Sequence, residues 1–208
     1  MLIVSNRITE RLPTDPGAKK AALDKSSNLA TKSLAGVQQI FSQPKPASLT
    51  DAQWNQEKSN LESQIHSTLG YVALNRLEYP KAIEEYDIAI KSAPKDAVSH
   101  FRLGLAYEYQ AADASKALVE AIDAENKAKT AKAEQSLLDE LVAKRQAMEE
   151  DARTKRDKAI DELVSAVAIG GVVAQPARTE LEKLYKVKNN DSLEGLDQLI
   201  AQKKTQLG

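Results

Sequence analysis

The chain has 208 residues, 42% of them hydrophobic but only 4% aromatic, no cysteine, and a formal net charge of −1 from 29 basic and 30 acidic side chains. That length suits one domain or a short array of repeats, and the scarcity of aromatic residues favours helices over sheet. The balanced charge excludes the basic footprint of a nucleic-acid binder, and the lack of cysteine excludes disulfides, thiolate nucleophiles and cysteine metal sites.

The first segment, "MLIVSNRITERLPTD", has an apolar run of three residues after Met1, too short for the core of a signal peptide. The expectation is a soluble protein, cytoplasmic or exported (periplasmic) with its leader outside this sequence. A short helix to about Arg11 and a longer one from about Pro16 to Leu34 are expected next. They are candidates for a degenerate repeat. "SQPKPASLT" (Ser42 to Thr50) breaks helix twice and reads as a linker. Thr50 followed by Gln53 has the form of a capping box opening a helix through Arg76. Trp54, Leu61, Ile65, Leu69 and Val72 share one face of it.

Two stretches then repeat each other. "HSTLGYVAL" begins at residue 66 and "HFRLGLAYE" at residue 100, so aligning Gly70 with Gly104 matches His66 with His100 and Leu69 with Leu103. The first copy continues with Ala73, Tyr79, Ala82, Tyr86, Ala89 and Pro94. Small residues let two helices approach, larger ones fill the gaps, and proline marks the exit. A 34-residue period of this kind is the signature of helix-turn-helix repeats.

On these residues the stretch from about Ser63 to Pro94 resembles a tetratricopeptide repeat, with His66 where the family usually has tryptophan. The segment from Ala97 resembles the first helix of a second repeat, with Leu103, Gly104 and Tyr107 in register. The resemblance covers roughly a third of the chain and is of the bacterial type. It implies an all-α fold, a right-handed helical solenoid of antiparallel helix pairs.

Two segments compete for the second helix of the second repeat. "KALVEA" (Lys116 to Ala121) comes one residue late, whereas "KAIDELVSAV" (Lys158 to Val167) matches "KAIEEYDIAI" (Lys81 to Ile90) better. Ala159, Leu163 and Ala166 then fall where Ala82, Tyr86 and Ala89 do. The better match implies an insertion of about 45 residues.

From Leu105 to Ile169 there is no glycine or proline. Acid-to-base pairs at i, i+4 recur in Asp123–Lys127, Glu125–Lys129, Glu140–Lys144, Glu149–Arg153 and Asp151–Lys155, the mark of a solvated helix. A thin apolar stripe runs through Leu118, Ile122, Leu138, Leu141, Met148, Ala152, Ile160, Leu163 and Val167. Antiparallel repeat helices, both extended, would make a coiled-coil-like hairpin arm with its tip near Thr130 to Ser136 and Ser136 as N-cap. One straight rod is the alternative.

"LVSAVAIGGVVA" (Leu163 to Ala174) is too short to span a bilayer and reads as a helix ended by Gly170-Gly171. Pro176 marks a helix start leading through "ARTELEKLYK". "NNDSLEG" is a turn, with Asp191 and Glu194 placed to cap the final helix, "LEGLDQLIAQKKTQL". Lys203 and Lys204 suit a polar closing helix and complement its dipole. The organisation is therefore residues 1–41 (N-terminal helices), 42–50 (linker), 51–111 (repeat core), 112–156 (charged insertion) and 157–208 (returning repeat helix and closing helices).

His66 and His100 occupy one repeat position each, and no further ligand lies at metal spacing. No phosphate loop, nucleophile elbow or zinc pattern appears. No enzymatic role, metal or cofactor is expected. Carried over from the tetratricopeptide resemblance, the groove that holds partners would use Gln64, Ser67, Tyr71, Leu74 and Asn75 of the first repeat. The second would add Val98, Phe101, Leu105, Glu108 and Tyr109. The Lys/Asn/Arg set that clamps a terminal carboxylate in chaperone-binding relatives is missing. Two roles follow: an adaptor that binds a protein or peptide in the groove, or an assembly protein that self-associates (a homo-oligomer) through the arm. Neither involves nucleic acid or an integral membrane segment.

Overall fold

The computed structural model describes residues 11–208, and within them every regular element is an α-helix. The short helix expected up to Arg11 lies outside the described residues. Seven helices follow in order: α1 Pro16–Phe41, α2 Asp51–Asn75, α3 Tyr79–Ser92, α4 Ala97–Thr130, α5 Gln135–Ile169, α6 Ala174–Lys188 and α7 Leu196–Leu207.

Local chemistry sets most of the boundaries. Asp15 accepts a 2.8 Å bond from the Ala18 amide, with Pro16 at the first turn, where its missing N–H costs nothing. α1 runs seven residues past the expected Leu34, because nothing before Ser42 and Pro44 breaks helix and Val37 is buried on its inner face. The Thr50 capping box is complete: Gln53 N–H donates to Thr50 Oγ1 at 3.2 Å, and Thr50 N–H donates to Gln53 Oε1 at 2.9 Å. The rings of Phe41 and Trp54, 4.3 Å apart, close the linker from both sides.

α2 and α3 join through a tight turn in which Leu77 takes a left-handed φ of 62°. α4 opens on Asp96, whose Oδ1 accepts from the Val98 amide at 3.1 Å. α4 and α5 are 34 and 35 residues long, so each extends about 50 Å. The chain reverses at Ala131–Glu134, with Lys132 at φ 53°. α5 ends at Gly170, φ 90°, where only glycine adopts the backbone without strain.

Two capping expectations are corrected. Ser136 is not the N-cap of α5: the helix starts at Gln135, and Glu134 holds the cap position without a side-chain bond. Asp191 and Glu194 do not cap the last helix, which starts only at Leu196 behind a left-handed Gly195. Asn190 and Asp191 instead take φ of 49° and 66°, ending α6. Pro176 stands at the start of α6 as expected, in the first turn, where a proline removes no intrahelical bond.

Among the described residues three apolar clusters form the main packing centres. Ala30, Val37 and Ile65 join α1 to α2. Ala73, Leu74, Ala82, Tyr86, Leu103 and Ala106 join α2, α3 and the start of α4. Ile160, Leu163, Val164, Ala166, Ala177, Leu181 and Leu196 join the end of α5 to α6 and α7. None of the three draws on residues 108–159. There α4 and α5 pack on each other through Ala117, Ala121 and Ala124 facing Leu141 and Met148, around a 110 Å³ gap. Among the described residues no helix is long and apolar enough to cross a membrane.

Candidate functional site

The two copies of His-x-x-Leu-Gly meet equivalent partners. His66 Nδ1 lies 2.7 Å from Glu85 Oε2, and His100 Nδ1 lies 2.6 Å from Glu162 Oε2. A β-carbon on Gly70 would stand 2.8 Å from the Tyr86 ring, and one on Gly104 would stand 2.8 Å from Leu163 Cγ. Ala82 and Ala159 are fully buried, as are Ala89 and Ala166. The first members of these pairs are 34 residues apart and the second members 77, a difference of 43. Of the competing segments, Lys158 to Val167 therefore packs on the start of α4, while Lys116 to Ala121 simply continues α4 into the arm. The histidines hold helix pairs together; among the described residues no cluster of His, Asp and Glu has a metal-binding arrangement.

Four of the ten groove residues meet in one cleft. Tyr71, Leu74, Asn75 and Tyr109 line a space of about 480 Å³ together with Lys19, Leu77 and Tyr79. Asn75 Nδ2 donates to the Tyr71 carbonyl at 3.0 Å, and the Tyr79 and Tyr109 rings sit 5.5 Å apart. The Arg102 guanidinium lies 4.4 Å above the Tyr71 ring, a cation–π contact that fixes one wall. Leu77 is 68% exposed at the mouth, an apolar side chain held outward on a left-handed backbone.

The other six residues are elsewhere. Gln64 is exposed on α2, Val98 and Leu105 are half-buried, and Ser67 Oγ is 2.9 Å from Ser99 Oγ, joining α2 to α4. Phe101 packs against the α5–α7 cluster, and Leu74, although it touches the cleft, belongs mostly to the α2–α4 core. Glu108 faces α6. Its Oε2 is buried without a hydrogen bond, and burial pushes its carboxyl up, with Glu180 adding to the rise and Lys183 opposing it. Lys183 is itself held by both oxygens of Glu180, at 2.9 and 2.8 Å.

Lys19, Leu77 and Tyr79 are missing from the expected groove. Lys19 comes from α1, which no repeat pattern connected to the site. Leu77 and Tyr79 come from the turn and the second helix of the repeat. The left-handed position in "NRLEY" carries no glycine or asparagine to flag it.

The arm has its own electrostatic centre. Glu125, 5% exposed, accepts from Lys129 Nζ on its own helix and from Arg145 Nε at 2.7 Å across the hairpin. Arg145 also reaches Glu149 at 3.1 Å, and Arg153 pairs with Glu150 rather than with the expected Glu149. Val119, Ile122 and Leu137 are exposed on the arm surface.

Comparison with protein-family models, curated proteins and solved structures found no match for this chain.

Proposed function

We propose that the chain is a tetratricopeptide-type helical scaffold that binds a protein segment in the cleft between α1, α2, α3 and α4. The observation that carries this reading is the cleft lined by Tyr71, Tyr79 and Tyr109 with Leu77 at its mouth. Tyrosine offers a large apolar face and a polar tip at small entropic cost, which is why it recurs where proteins anchor partners. The tandem pairing of His66 with Glu85 and His100 with Glu162 supports the repeat reading, since two copies of one helix pair use the same contact. On this reading the insertion is an arm projecting from the second repeat, and the scaffold needs no cofactor. The test is capture of partners by the full chain against a Tyr71→Ala/Tyr109→Ala variant of unchanged helicity. Loss of the captured partner is expected; undiminished capture removes the cleft assignment.

A second reading rests on Val119, Ile122 and Leu137, exposed along the arm. In it the arm joins copies of the chain. Sedimentation of the full chain against one lacking residues 112–156 separates the two readings. A monomer in both cases rules the assembly role out.

A further inference from the structure

The two repeated histidines differ in one respect. His66 meets a single acceptor, Glu85, and a neutral ring protonated at Nδ1 satisfies that contact. His100 meets two. Its Nδ1 lies 2.6 Å from Glu162 Oε2 on α5, and its Nε2 lies 3.1 Å from the Pro94 carbonyl in the α3–α4 loop. A carboxylate and a carbonyl only accept, so both contacts are satisfied by the ring when both of its nitrogens carry hydrogen, as in the imidazolium. In the neutral ring one nitrogen presents a lone pair to an oxygen. If that nitrogen is Nδ1, the lone pair faces a carboxylate, the worse outcome. The proton at Nε2 is therefore the one given up, and the contact with Pro94 is lost.

We propose that His100 is a protonation latch: as imidazolium it ties the α3–α4 loop at Pro94 to the root of the arm at Glu162, and deprotonation releases the loop. The surroundings suit a retained cation. His100 is 7% exposed, and Asp96 of the loop adds a second negative charge. Glu162 also faces Asp87 of α3 and Tyr107 of α4; Asp87 is in turn offset by Lys91 of α3 and Lys158 of α5, two cations against the carboxylates of Asp87, Asp96 and Glu162. Ser67 of α2 reaches only Ser99, the neighbour of His100, and brings no charge. Burial by itself lowers the proton affinity of the ring. The hydrogen bond and charge of Glu162, the Pro94 carbonyl and Asp96 outweigh it, and the net displacement is upward. A histidine whose proton is held more tightly in the folded state contributes stability that is complete below its unfolded value, about 6.5, and lost as pH rises through the raised folded value.

The chain has only two histidines, so the test is direct. Long-range proton–nitrogen correlation spectra of the ¹⁵N-labelled full chain at about pH 7, just above the ordinary histidine value, report the protonation of each ring nitrogen. A His66→Gln variant assigns the signals. Two protonated nitrogens on His100 are expected; one unprotonated nitrogen there overturns the latch. In urea unfolding, the wild-type midpoint is expected to fall between about pH 6 and about pH 9, and that of His100→Gln to stay level. An equal fall in both also overturns it. The spectra are taken on the wild type and stand even if the variant does not fold.

Discussion

Gly104 lies against Leu163 so closely that a β-carbon at Gly104 would stand 2.8 Å from Leu163 Cγ and 2.9 Å from its Cδ2. The contact seats α4 on α5 at the root of the arm, as Gly70 against Tyr86 seats α2 on α3. Glycine in the middle of a helix costs about 0.5–1 kcal/mol relative to alanine, and close approach of the neighbouring helix offsets that cost here.

Gly104→Ala is therefore expected to destabilise. Cγ is the branch point of Leu163, not its mobile end, so the helices must part. Overpacking of this kind costs about 1–3 kcal/mol, against roughly 1 kcal/mol gained in helix propensity. Gly36 of α1 is the matched control: a β-carbon there meets nothing within 4 Å. Gly36→Ala should stabilise by about 0.5–1 kcal/mol. Urea titrations of the two variants read opposite signs; the same sign in both removes the packing argument.

Tyr86 is fully buried, and its hydroxyl has no partner in full hydrogen-bonding geometry; the nearest polar group that acts on it is the Arg102 guanidinium. Burial pushes the phenol up, with the Arg102 guanidinium pulling the other way. A buried polar group poorly paired costs about 1–3 kcal/mol, so Tyr86→Phe, which keeps the ring against Gly70 and gives up only the off-geometry approach to Arg102, should raise stability by up to about 1 kcal/mol. A lower thermal midpoint for the variant would show that the hydroxyl has a partner after all.

The 34-residue register was readable because Leu-Gly, alanine and the large residue facing each glycine are packing choices, and packing leaves a periodic trace. The pairing of the end of α5 with the start of α4 was readable for the same reason: Ala159, Leu163 and Ala166 repeat Ala82, Tyr86 and Ala89 in kind and spacing. Polar partners leave no such trace. Glu85 and Glu162 lie 19 and 62 residues from their histidines, and the carboxylates around them look alike in sequence. Four of the ten residues expected in the groove line the cleft, since that register came from the first helix of each repeat, while Leu77 comes from the turn and Tyr79 from the start of α3. Asp191 and Glu194 have the spacing of a cap, but left-handed Asn190 and Asp191 turn the chain earlier, and Gly195 opens α7.

Leu77 combines a left-handed backbone with an exposed apolar side chain at the cleft mouth. The left-handed region costs a residue with a β-carbon about 1–2 kcal/mol, partly returned on substitution by glycine's extra entropy. Leu77→Gly should stabilise the chain by about 0.5–1 kcal/mol while weakening capture of a cleft-bound partner. Improved folding with unchanged capture would take Leu77 out of the binding surface.

Glu125 is held below the usual carboxylate range by its bonds to Lys129 and Arg145, with burial opposing them. A depressed carboxyl contributes stability above its unfolded value, about 4.3, and loses it as pH falls through the lowered folded value. Glu125→Gln should thus lose less melting temperature than wild type between about pH 5 and about pH 3, and start lower at neutral pH. Parallel acid profiles for the two proteins would place no stabilising charge at this position.

The difference of 43 residues between the two registers defines a specific excision. Residues 75–77 correspond to 109–111, and residues 78–81 correspond to 155–158, so on the proposed repeat reading the stretch to excise is 112–154, within the 112–156 expected from the sequence. Position 111 then takes the place of Leu77, whose φ is 62°, and Ala111→Gly relieves it. The three apolar clusters draw nothing from residues 108–159, so they survive intact. The shortened chain should stay helical and unfold in one cooperative step, with a smaller denaturant slope because less surface is exposed on unfolding. A molten chain without near-ultraviolet signal would mean that the arm, rather than the pairing of Gly104 with Leu163, holds α4 against α5.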